Sequence, residues 1–127
     1  MTNQIKQPDI EIYVKDTSFN AIQDWLSSVF EPISLPNFSG KPVNINVGIS
    51  PKIPVMLTPS AAGKAFTSIW FQSDQTPWKT DEECAMSFLS INDTEVRCSA
   101  NSWQEEEEEQ SEQWLSISRN EKRLIQW

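Results

Sequence analysis

The residues that draw attention first are carboxylates. Glu105 to Glu109 form an unbroken acidic run, Glu112 follows, and Trp103 and Trp114 stand on either side. A dense carboxylate array attracts a cationic partner over distance and steers its encounter. Tryptophan supplies short-range contact area, and its ring face attracts Arg and Lys. Glu105, Glu106, Glu107, Glu108, Glu109, Glu112, Trp103 and Trp114 are therefore the candidate partner-binding residues. The run does not have the pattern of a calcium loop, which interleaves its oxygen ligands with a turn-permitting glycine. The plain alternative is a solvated connection whose like charges keep it extended.

Other chemistry is restricted by what the chain lacks. It contains no histidine. Ser-His-Asp and Cys-His nucleophile arrangements and the usual zinc ligand sets are thereby removed. Gly63-Lys64 superficially matches the end of a phosphate-binding loop. That loop needs glycine where Thr58 stands and Ser or Thr where Ala65 stands, so the match fails. Cys84 and Cys98 are too few for a structural metal site. Asp81, Glu82 and Glu83 surround Cys84 and disfavour its thiolate, so both cysteines read as small buried residues. Carboxylates abound, yet no spacing singles out an acid–base pair. The expectation is no catalytic residue, no cofactor, no metal and no enzymatic role.

Charge narrows the partners. The net charge is −8 and the pI about 4.4. Between Asp81 and Glu112 the only basic residue is Arg97. Binding to a phosphate backbone needs Lys and Arg, so no direct nucleic-acid contact is expected, nor binding to an anionic membrane. No stretch nears the roughly 20 apolar residues of a membrane span. Met1 to Pro8 is polar, without the apolar core of a signal peptide. A cytoplasmic setting with reduced thiols follows as the expectation.

The elements that must hold these residues are legible as periodicities. Asp9 to Val14 alternates as a half-buried strand. Thr17 or Ser18 offers an N-cap, and Phe19, Ile22, Trp25, Leu26, Val29 and Phe30 form one helical stripe. Val43, Ile45, Val47 and Ile49 alternate as a strand, with Ile53 to Leu57 returning. Pro54 cannot donate to a ladder and suggests an edge or a short strand. Phe66 to Gln72 reads as a strand buried on both faces. Thr80 with Glu83 is a capping-box pattern opening a second helix, with Cys84, Ala85, Phe88, Leu89 and Ile91 as its apolar face. Strands around Val96 and Cys98, Leu115 and Ile117, and Leu124 to Trp127 complete the chain. Trp25 and Trp70 read as core, while Trp78 precedes the second helix.

The expected architecture is α+β in one domain over residues 1–127. A mainly antiparallel sheet of six to seven strands carries two helices on one face, in the order β-α-β-β-β-α-β-β-β. The acidic loop falls near 103–113. Strand-helix-strand-strand occurs twice, which raises the question of two similar halves. The expected function is a small acidic protein that binds a basic partner, such as an inhibitor or an immunity protein neutralising a toxin or nuclease. The rivals are a small-ligand module with an apolar pocket and a carboxylate-based enzyme.

Overall fold

In the computed structural model, residues 9–31, 41–48, 52–59, 65–99 and 113–126 are described. Strand β1 (Ile10–Lys15) leads into helix α1 (Phe19–Val29). Strands β2 (Val43–Val47), β3 (Ile53–Thr58) and β4 (Phe66–Phe71) follow. Helix α2 (Asp81–Leu89) precedes β5 (Val96–Ser99), β6 (Gln113–Ser118) and β7 (Glu121–Gln126). All seven strands share one sheet, ordered β2-β3-β4-β1-β5-β6-β7, and every neighbouring pair is antiparallel.

The two strand-helix-strand-strand stretches are not copies of each other. Helix α1 carries the chain from the central β1 to β2 at the far edge. Helix α2 links β4 to β5 across the intervening β1. Both of those strands run antiparallel to β1, so they are parallel to one another.

Both helices pack on one face of the sheet. Ile10 and Ile12 of β1 lie opposite Phe71 and Ile69 of β4, and all four are buried. Trp25 of α1 meets Phe71 and also Phe88 of α2, with ring centroids 5.9 and 5.0 Å away. Its indole N–H donates to Ser87 Oγ of α2 at 3.1 Å, so burying the ring leaves no polar atom unpaired. Trp78 stacks on Trp25 at 5.6 Å. That places Trp78, from the segment before α2, in the same hydrophobic cluster.

The helix ends follow from short-range hydrogen bonding. Ser18 Oγ accepts from the Ala21 N–H at 3.1 Å and starts α1, so Ser18, not Thr17, is the cap. Thr80 Oγ1 accepts from the Glu83 N–H at 3.2 Å and starts α2. Glu83 reaches back one residue further than a strict capping box, to the Lys79 N–H at 2.8 Å. At the other end of α2, Arg119 donates to the Leu89 carbonyl at 3.0 Å, satisfying one of the orphan acceptors there. The helix stops at Leu89, so Ile91 lies in the following turn and is 50% exposed, contrary to the sequence expectation.

Strand β3 also departs from expectation, since it lies inside the sheet between β2 and β4. Its proline sits where the missing donor costs least. The Pro54 carbonyl accepts from the Gln72 N–H at 2.9 Å, just past the last β3–β4 pair, Val55 with Phe71. A hydrogen-bonded antiparallel pair exchanges two bonds. Here it makes only one, and the β4 ladder ends. Beyond β2, Gly48 has φ 84°, a value that favours a residue without Cβ.

Candidate functional site

Antiparallel register fixes which side chains share the face opposite the helices. One row crosses six strands as Thr58, Ser68, Tyr13, Arg97, Ser116 and Arg123. Next to it, Met56 lies opposite Trp70, and Trp70 opposite Glu11. Further along, Ser99 lies opposite Trp114, and Trp114 opposite Ile125. These strands bury the alternate set of residues under the helices, so the hydrophobic pattern presents this polar and aromatic set on the other side.

Two carboxylates organise the face. Glu11 accepts from Ser68 Oγ at 2.7 Å. Burial, then the Glu11 charge and a hydrogen bond to Glu11, push the Tyr13 phenol up to about 12. Tyr13 is therefore a neutral hydrogen-bond donor at ordinary pH. Glu95 accepts from Ser116 Oγ at 2.6 Å and from Arg97 Nε at 2.8 Å, and Lys15 Nζ lies 3.8 Å away. Burial pushes the Glu95 carboxyl up. The Ser116 and Arg97 hydrogen bonds and the Arg97 and Lys15 charges together outweigh it and hold the carboxyl below its usual value. Arg97 also lies over the Phe66 ring, 4.8 Å from its centroid.

Trp114 stands at the base of the acidic segment. It lies opposite Ser99, and residues 100–112 connect the two strands beyond that pair. Its ring meets Tyr13 edge-on, with centroids 5.5 Å apart. Trp103, Glu105 to Glu109 and Glu112 fall outside the described residues. Of the expected contact residues, Trp114 alone lies among the described ones.

The expectation that Trp70 belongs to the core is not met. Trp70 is only part-buried, lies on the helix-free face and donates from Nε1 to Asp9 Oδ2 at 2.7 Å. Trp78, which the sequence leaves unassigned, is buried in the core beside Trp25, 7% exposed. The sequence does not reveal Tyr13 as a neighbour of Trp114, nor Glu11, Glu95 and Arg97 as charged members of the same face. Alternation alone placed Tyr13 and Glu11 away from the apolar side of β1, but it could not show which strands lie beside them.

The polar groups of this face contact one another. Its acids are engaged by hydroxyls and cations, and its phenol holds its proton. Asp81, the buried acid of α2, accepts the Glu11 backbone N–H at 3.0 Å and so ties the start of the helix to β1. Glu95, Ser116, Ser118, Glu121 and Arg123 line a cleft of about 110 Å³. That is small beside the roughly 300–1,000 Å³ of ordinary ligand pockets, and its lining is polar. Cys84 and Cys98 are buried free thiols. Burial and the Asp81 charge push both well up, away from thiolate reactivity. No helix among the described residues is long and apolar enough to cross a membrane. No protein-family model, curated protein or solved structure matches the chain.

Proposed function

We propose that this is a small acidic protein that docks on a basic macromolecule through the acidic segment and the aromatic base beneath it. The most concrete form is an inhibitor or immunity protein covering the cationic cleft of a toxin, such as a nuclease. Glu105, Glu106, Glu107, Glu108, Glu109 and Glu112 would attract the partner, and Trp103 and Trp114 would make close contact. The observation that carries this reading is the position of Trp114. It joins the acidic connection to a helix-free face already furnished with Tyr13. Charge supports it too, because a net −8 favours a cationic partner over an anionic one. The reading places the protein in the cytoplasm, and the two free buried thiols are consistent with a reducing compartment.

The cleft lined by Glu95, Ser116, Ser118, Glu121 and Arg123 is too small and too polar to favour the small-ligand rival at that place. Binding kinetics at two salt concentrations, on a partner recovered from the source cell, test the proposal. Replacing Glu105 to Glu109 with glutamine should mainly slow association and flatten its salt dependence. Trp114→Ala should mainly speed dissociation, at about 2 kcal/mol if the ring is a binding hot spot. An acidic or neutral partner, or an unchanged association rate, overturns the electrostatic reading.

A further inference from the structure

The two ends of the sheet are not equivalent. The outer strand β7 carries three consecutive charges, Glu121, Lys122 and Arg123. Charged side chains on an edge discourage another strand from adding to it. The other outer strand, β2, reads Val43-Asn44-Ile45-Asn46-Val47 and has no charge. Among the described residues, no strand pairs with its outer side.

That strand is a palindrome centred on Ile45. If two copies ran antiparallel about a twofold axis at Ile45, Val43 would face Val47, Asn44 would face Asn46, and Ile45 would face itself. A twofold dimer requires this property, since each contact must occur twice with the partners exchanged.

The hydrogen-bond phase fits as well. A strand residue directs its N–H and C=O to the same side. Pro54 directs its carbonyl to Gln72 on the β4 side. It therefore does not bond Asn46, its partner on β2. The Asn46 N–H and C=O must point away from β3, and by alternation so must those of Asn44. Val43, Ile45 and Val47 use theirs on β3. Pairing about Ile45 would set each outward Asn44 against an outward Asn46, forming two doubly hydrogen-bonded pairs around a close Ile45 contact.

The side chains agree with the backbone. Val43 and Ile45 are only part-buried at this edge, and Ile45 packs against the hydrophobic cluster. A second copy would extend that apolar layer across the axis. Asn44 and Asn46 are exposed on the helix-free face, where their amides would meet across the junction.

We infer that β2 is a self-recognition edge through which two copies of this chain form a twofold dimer with one continuous sheet. The dimer does not depend on the acidic segment, which connects strands near the opposite end of the sheet.

Sedimentation of the full chain, from low micromolar concentration to on the order of 100 µM, tests this. The wild type should pass from monomer to dimer. Asn44→Lys with Asn46→Lys sets like charges opposite one another twice and should raise the dissociation constant about tenfold or more. Asn44→Lys with Asn46→Glu makes the same pairs attractive and should restore the dimer. Both positions are exposed, so neither variant disturbs the core. In the wild type, amide exchange at Asn44 and Asn46 should slow as concentration rises, while Val43, Ile45 and Val47 stay protected by β3 throughout. A monomer over the whole range overturns the inference, as does a dimer indifferent to the paired lysines or concentration-independent exchange at both asparagines.

Discussion

Tyr13 is the chain's single tyrosine, so phenolate absorbance reports this one side chain. Its midpoint should lie near 12 against an ordinary value of 10.0. The folded state holds this proton more tightly than the unfolded chain does. The associated stability is fully present below pH 10 and is lost as pH climbs from 10 through 12. Glu11→Gln removes the neighbouring charge but leaves the burial. The midpoint should fall toward 10 without reaching it, and a midpoint already near 10 in the parent would show that Tyr13 is open to solvent. The same residue shows what a sequence can say about a site. The period-two pattern of β1 sets Glu11 and Tyr13 apart from Ile10, Ile12 and Val14. The ring contact with Trp114 joins residues about a hundred positions apart, and only sheet order creates it. Trp70 was misread because β4 has apolar residues on both sides. Ile69 and Phe71 serve the core, and Trp70 between them does not.

At the scale of elements, α2 depends on its first turn. The Thr80 hydroxyl satisfies a donor that the helix itself cannot, and Asp81, Glu82 and Glu83 lie where the helix dipole favours negative charge. Thr80→Ala should cost about 1 kcal/mol in urea or thermal unfolding, while Thr80→Ser should be nearly neutral because the hydroxyl remains. An alanine variant as stable as the parent would mean that solvent or Glu83 replaces the cap. Both helices and the element order were legible because each depends on local features: a cap, a stripe and a turn. Class and order therefore emerged together with the antiparallel arrangement. The position of β3 was not legible. Proline excludes a strand from the sheet interior only where its N–H is needed, and here the β4 ladder ends at that point. The end of α2 was overextended by reading Ile91 as part of its face. An isolated apolar residue after a helix need not be buried, and Ile91 remains half exposed.

Across the whole molecule, the excess charge is concentrated in one connection. Replacing Glu105 to Glu109 with glutamine changes the net charge from −8 to −3. Adjacent carboxylates repel, and the repulsion between exposed charges is screened over about 10 Å at 0.1 M salt. If the folded chain draws these charges together more than the unfolded chain does, salt should stabilise the parent, and the glutamine variant should depend on salt less. Urea unfolding at low and moderate salt checks this, because urea adds no ions of its own. At low salt the variant should equal the parent or exceed it slightly, since exposed charges contribute little individually. A loss of more than about 2 kcal/mol lies well outside the range for exposed surface changes. It would mean that the glutamates are paired within the fold, and the encounter role would then pass to the remaining acids. The experiment needs no partner, so it separates two meanings of a slower association. If stability is unchanged while association slows, the run acts at long range on the partner. If both fall together, the slower association reports damage to the protein and not the loss of steering.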